Sequence, residues 1–144
     1  MQTLAKVFES LSDDQSLDLF RTIANDNISS IVLRNKVELT RKQYYSRLSR
    51  MARAGLIKRK NGKLALTAFG KIVYEVHKTI ENANNNQWKL KVIDSIEYSD
   101  ELPKDERKKL VENLIENEQI REILSQERAE QKGAAATHAN IVQQ

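Results

Sequence analysis

The sequence predicts a mainly α-helical fold interrupted once by a two-stranded β-hairpin, with a long helix after the hairpin and a helical appendage beyond it. Three observations predict this. Apolar residues recur at three- and four-residue spacing through most of the chain. Asn61-Gly62, the strongest two-residue hairpin signal, lies between two short segments bounded by Gly55 and Thr67. Residues 34–63 carry eleven Lys or Arg and a single acid, Glu38, for a net charge of +10, whereas residues 1–33 and 64–144 are each at −3, which leaves the 144-residue chain at +4.

The elements follow in order. Leu4, Val7, Phe8 and Leu11 fall on one face of an N-terminal helix over 1–11. Ser12 reads as the N-cap of the next helix, with Asp13 and Asp14 in its first turn, where the helix dipole favours acids. Leu17, Leu19, Phe20, Ile23 and Ala24 supply its apolar face, and Asn25-Asp26-Asn27 stops it. Ser29 and Ser30 are caps for a third helix in which Ile31, Val32 and Leu33 make apolar contacts. Thr40 and Gln43 have the spacing of a capping box, in which hydroxyl and amide satisfy orphan backbone N–H groups reciprocally. The helix they open runs over 40–54 and ends at Gly55, the favoured residue for a left-handed C′ position. Leu56 to Lys60 and Lys63 to Leu66 form the hairpin, since a type I′ turn at Asn61-Gly62 needs positive φ at both positions. Thr67 caps a long helix carrying Phe69, Val73, Val76, Ile80 and Ala83 in a heptad-like 4-3-4-3 seam.

Composition narrows the chemistry. There are no cysteines, so disulfides, thiolate metal sites and cysteine nucleophiles are excluded. The two histidines, His77 and His138, are too few for a multi-histidine metal site, and His77 reads as structural. The four glycines, at 55, 62, 70 and 133, make no phosphate-cradling loop, and Ser46 has no histidine base nearby. The acid pairs Asp13-Asp14 and Asp105-Glu106 read as helix-start charges. No enzyme activity, cofactor or metal is therefore expected. No apolar run exceeds four residues, against about 20 for a membrane span. Lys6 and Glu9 interrupt the first apolar stretch, unlike a secretory signal. A cytoplasmic, nucleoid-associated protein is the expectation.

The helix over 40–54 has two distinct faces. Tyr44, Leu48 and Met51 form a narrow apolar stripe bracketed by Leu39 and Leu56. The opposite face holds Lys42, Ser46, Ser49 and Arg53, with Gln43, Tyr45 and Arg50 at its edges and Arg41 and Arg47 flanking the stripe. Arg and Lys reach phosphates or guanine, Gln can pair bidentately with adenine, and Ser contacts either. A helix of this width fits the major groove of B-form DNA. The hairpin tip, Lys58 to Lys63, would lie along the flanking backbone or the minor groove.

Helix, helix, helix, hairpin, helix over residues 12–83 is the order of a winged helix-turn-helix. The string Leu39-Thr40-Arg-Lys-Gln-Tyr-Tyr-Ser-Arg-Leu48-Ser-Arg-Met51-Ala-Arg-Ala-Gly55-Leu56-Ile57 resembles the recognition-helix signature of prokaryotic, and in particular archaeal, winged helix-turn-helix transcriptional regulators. Leu66-Thr67-x-x-Gly70 resembles their wing-to-helix junction. The resemblance covers about half of the chain. Tyr44-Tyr45 is bulkier than the family pattern at the helix start, and a thiolate metal-sensing role cannot carry over without cysteine.

The resemblance implies a homodimeric regulator of transcription that binds double-stranded DNA. The residues expected at the duplex are Arg41, Lys42, Gln43, Tyr45, Ser46, Arg47, Ser49, Arg50, Arg53, Arg59, Lys60 and Lys63. Two other readings stay open: a non-specific nucleic-acid or chromatin-architecture protein using the same residues, and a winged-helix module for protein interaction that binds its partner through 88–125. Residues 84–125 read as a helical appendage for dimerisation or partner binding, with Trp88, Val92 and Ile96 at helical spacing, a loop over 98–102, Pro103 opening a helix with Leu110, Val111, Leu114 and Ile115, and a last amphipathic turn at Ile120, Ile123 and Leu124. Contact with a partner is expected through 88–125. The polar, Ala-rich segment 126–144 reads as a disordered tail.

Overall fold

The computed structural model describes residues 2–25, 29–97, 99 and 101–125. The expected tail 126–144, the loop positions Tyr98 and Asp100, and Asp26 and Asn27 of the second-helix stop lie outside them. The chain divides into two compact units, Met1–His77 and Lys78–Gln144. The second unit thus begins inside the long helix, six residues before the expected boundary at 84.

The first unit is mainly helical with one antiparallel sheet: α1 (Leu4–Ser10), α2 (Asp14–Asn25), α3 (Ser30–Lys36), α4 (Arg41–Arg53), β1 (Ile57–Lys60), β2 (Lys63–Leu66) and the start of α5 (Ala68–Asn85). Leu19, Phe20, Leu33, Tyr44, Met51 and Leu56 are fully buried at its centre, joined by Val7, Ile23, Leu48 and Leu64. The stripe expected on the fourth helix, Tyr44, Leu48 and Met51, is the face that enters this core. Burying each such side chain contributes about 1.5–3 kcal/mol.

Four local expectations are corrected. Asp13, not Ser12, caps α2: the Ser16 N–H donates to Asp13 Oδ1 at 2.9 Å, while the Ser12 hydroxyl turns back to the Glu9 carbonyl at 2.8 Å. The carboxylate reaches the exposed amides of the first turn from one position later, and Ser12 is left to close the end of α1. In α1, Val7 is buried while Leu4 and Phe8 are exposed, because a helix of two turns presents only one narrow side to α4. In α3, Leu33 is buried and Ile31 and Val32 are exposed. On α5 the single seam splits: Val73 packs against the core, whereas Phe69 is exposed beside Ile72 and Val76.

The junctions are tightly specified. Ser29 caps α3 by accepting from the Val32 N–H at 3.3 Å. After α4, the Leu56 N–H bonds to the Met51 carbonyl and the Gly55 N–H to the Ala52 carbonyl, both at 3.0 Å, with Gly55 at φ +78°. That pair of bonds around a left-handed residue is the Schellman ending. Asn61 and Gly62 have φ of 54° and 74°, and the strands pair Ile57↔Leu66 through Lys60↔Lys63. Thr67 closes the circuit: its hydroxyl donates to the Gly55 carbonyl and accepts from the Gly70 N–H at 2.9 Å. Gly70 itself lies so close to β1 that an added Cβ would sit 2.0 Å from the Leu56 carbonyl oxygen.

His77 accepts from Arg21 Nε at 3.1 Å, and the Tyr74 hydroxyl donates to Asn25 Oδ1 at 3.0 Å, so both residues fasten α5 to α2. This agrees with the structural reading of His77; His138 lies outside the described residues.

The second unit contains the end of α5, α6 (Gln87–Glu97), α7 (Lys104–Leu114) and α8 (118–125). Ile93, Ile115 and Ile120 form its small core, with Ala83, Leu90, Val111, Leu114 and Leu124 packed around them. The inward face of α6 is therefore Leu90 and Ile93, while Trp88 and Val92, on the apolar line read from helical spacing, are exposed. Pro103 stands at the N-cap of α7, with Asp105 and Glu106 in the first turn. Among the described residues, no helix is long and apolar enough to cross a membrane.

Candidate nucleic-acid interface

The basic window of the sequence is built around α4 and the hairpin. Thr40 and Gln43 form the capping box as expected: the Gln43 N–H donates to Thr40 Oγ1 at 3.2 Å and the Thr40 N–H donates to Gln43 Oε1 at 3.1 Å. Tyr44 explains the bulk at the helix start. Its ring is fully buried, and its hydroxyl donates to the Ser30 carbonyl at 2.9 Å, which anchors α4 to the beginning of α3. The hairpin is held to the same place, because the Ser30 N–H donates to the Gly62 carbonyl at 3.2 Å and Ser29 forms an isolated antiparallel bridge with Lys63.

With the apolar stripe buried, Arg41, Lys42, Gln43, Tyr45, Ser46, Ser49 and Arg53 are exposed on α4, and Arg59, Lys60 and Lys63 are exposed on the hairpin. No acid occurs in α4. The Arg41 guanidinium stands 5.9 Å from the centre of the Tyr45 ring, a cation–π contact that keeps both at the start of the helix. Arg53 Nη2 donates to Ser49 Oγ at 3.1 Å.

Strand alternation places Ile57 and Arg59 on the side of the hairpin that faces α4, and Lys58 and Lys60 on the other. A cleft of about 400 Å³ runs between α4 and the hairpin. Leu48, Ile57 and Leu64 line its floor, while Tyr45, Ser49 and Arg59 stand at its rim. Lys58, which the sequence placed in the tip but not among the contact residues, also lines it.

One of the expected contact residues is engaged inside the protein. Arg47 Nε donates to Asp13 Oδ1 at 3.2 Å and Nη2 to Gln15 Oε1 at 2.8 Å, and its side chain is only 15% exposed. Its flanking position on the helix turns it toward α2, and Asp13, already needed as a cap, supplies the countercharge. Partial burial pushes the Asp13 carboxyl up, but the bonds from the Ser16 N–H and hydroxyl and the Arg47 guanidinium outweigh it, and the net direction is down. Arg50 is half-buried, lies beside Lys6, Glu9 and Ser10 near α1, and has a buried Nε without a hydrogen-bond partner. The Asp13–Arg47 pair spans 34 residues of sequence; its only sequence signal was a lone basic group flanking an apolar stripe.

A larger cleft, about 700 Å³, lies in the second unit over Ile93, Val111 and Leu124. Lys108 and Arg121 alternate around it with Glu112 and Glu122, so it presents no single charge. The α4–hairpin surface, by contrast, offers cations and neutral donors without a carboxylate, which is chemistry for a polyanion. Comparison of the chain with protein-family models, curated proteins and solved structures gives no match.

Proposed function

We propose that this chain is a winged helix-turn-helix protein that binds double-stranded DNA and regulates transcription as a homodimer, with α4 as the recognition helix in the major groove and the hairpin as a wing on the flanking backbone. One observation carries the reading: seven polar or cationic side chains are exposed on an acid-free α4, Arg59 lies on the side of the hairpin that faces them, and Lys58, Lys60 and Lys63 are exposed on the same short hairpin. In this reading Lys42, Gln43, Tyr45, Ser46 and Ser49 meet base edges. Arg41 and Arg53 take phosphates or guanines, and Lys58, Arg59, Lys60 and Lys63 hold the backbone. Arg47, bonded to Asp13 and Gln15, sets the position of α4 rather than touching the duplex, and Arg50 joins Arg41 and Arg53 in taking phosphates or guanines.

The homodimer is supported by Phe69, Ile72 and Val76, large apolar residues three and four apart and exposed along α5. That spacing makes one continuous apolar stripe on a helix, and a second copy would bring a second recognition helix to a two-fold site.

The test is binding of the full chain to labelled duplex DNA across a range of salt concentrations. Neutralising about six phosphates per protomer gives a slope of log K against log salt near −5 for each protomer, and so near −10 for the bound dimer. A flat salt response overturns the reading. Competition with random duplex separates sequence-specific regulation from non-specific binding: equal competition by any fragment sustains only the latter.

A further inference from the structure

The hydrogen bonds within α4 restrict which base edges its outer face can satisfy. This inference rests on the proposed reading of α4 as a major-groove helix and goes one step further, to the chemistry of the site it reads. Gln43 carries the one amide carbonyl on the outward side of the helix, and one of its two acceptor lone pairs is in use. The backbone N–H of Thr40 can only donate, so the side-chain atom 3.1 Å from it must be Oε1, and the amide orientation is fixed. What remains wholly free on Gln43 is the NH2 group. The bidentate pairing with adenine expected from the sequence needs both the oxygen and the NH2 aligned with one base edge; Oε1 keeps a second lone pair but is tethered to the Thr40 N–H, so that pairing has to compete with the capping box.

The neighbouring residues point the same way. Arg41, Lys42 and Arg53 are donors only. Ser49 Oγ already accepts from Arg53 at 3.1 Å, which leaves its O–H to be given outward. Tyr45 and Ser46 carry hydroxyls that serve either role. No carboxylate is present on the helix. The face is therefore a surface of donors. In the major groove guanine shows two acceptors, N7 and O6. Thymine shows O4, adenine shows N7 beside a 6-amino donor, and cytosine shows only its 4-amino donor. Guanine is the base such a surface satisfies most fully, and the amino groups of adenine and cytosine find no dedicated partner.

We propose that α4 specifies its DNA site through guanine N7 and O6 and does not read the adenine 6-amino group. The experiment starts from duplexes that the full chain retains from a random-sequence pool. In one arm every adenine of a retained duplex is replaced by 2-aminopurine, which still pairs with thymine but lacks the 6-amino group. In the other arm every guanine is replaced by 7-deazaguanine, which lacks the N7 acceptor. The expected result is affinity within about twofold in the first arm and a loss of about tenfold or more in the second, the size expected for a broken bidentate contact. A tenfold loss with 2-aminopurine overturns the proposal, because the adenine amino group is then being read. No loss in either arm, or retained sites without guanine, overturns it as well. Failure to retain any duplex is a different result, which removes the DNA-binding reading itself.

Discussion

Arg47 of α4 and Asp13 at the head of α2 form a partly buried ion pair, Nε to Oδ1 at 3.2 Å, in which Asp13 is also the N-cap of its helix. One carboxylate therefore ends one helix and orients another. Replacing Arg47 with Ala should destabilise the fold by about 1 kcal/mol, the scale of a half-exposed pair with an added hydrogen bond, and should weaken duplex binding through misplacement of α4 more than through lost charge. The salt slope reports the difference: it should stay unchanged in Arg47→Ala, and a slope reduced by about one per protomer would show that Arg47 contacts a phosphate after all.

Acid dependence follows from the same carboxylate. Its folded pKa lies below its ordinary value, so its charge stabilises the fold above the unfolded pKa, near 3.9, and that contribution disappears as pH falls through the folded value. Asn keeps the capping oxygen but not the charge. Asp13→Asn should thus unfold at lower urea than wild type at pH 7, and the two midpoints should converge below about pH 4. A gap independent of pH would mean that the charge contributes nothing.

Gly70 and Gly62 separate two reasons for glycine. At Gly70 a methyl group would meet the Leu56 carbonyl at 2.0 Å, whereas at Gly62 nothing lies within 4 Å and only the positive φ matters. Gly70→Ala must push α5 away from β1 and should cost about 3 kcal/mol, against about 1 kcal/mol for Gly62→Ala. Urea unfolding midpoints rank the two, and equal losses would contradict the close approach.

Side chains of the α4–hairpin surface should divide by role. Lys63→Ala should weaken all duplexes alike and lower the salt slope by about one per protomer. Ser46→Ala should change the ranking of selected sites with little effect on the slope. Binding isotherms on several duplexes at two salt concentrations distinguish these, and the reverse pattern would exchange the two roles.

Association is measured separately. Ile72→Glu and Val76→Glu place carboxylates on the exposed stripe of α5 without entering the core. Sedimentation equilibrium should show a dimer for the wild type and a monomer for the double variant. A dimer that survives both substitutions places the contact elsewhere.

The sequence alone determined the features that local chemistry controls. Thr40 with Gln43, Gly55, Asn61-Gly62 and Thr67 act within a few residues of themselves, and the Tyr44-Leu48-Met51 stripe follows from helical periodicity. These were legible because each depends on its own backbone conformation or on a neighbour three or four positions away, although the second bond of Thr67, to Gly55, reaches back across the hairpin. Tertiary structure decided what happens at the edges of helices, where a residue faces either solvent or another element. It turned Arg47 inward and Leu4, Phe8, Ile31 and Val32 outward, and it split the α5 seam, with Val73 against the core and Phe69 exposed beside Ile72 and Val76. Periodicity fixes an angle around one helix axis, but the direction of the neighbouring helix, set by packing of residues far apart in sequence, decides which side of that angle is buried.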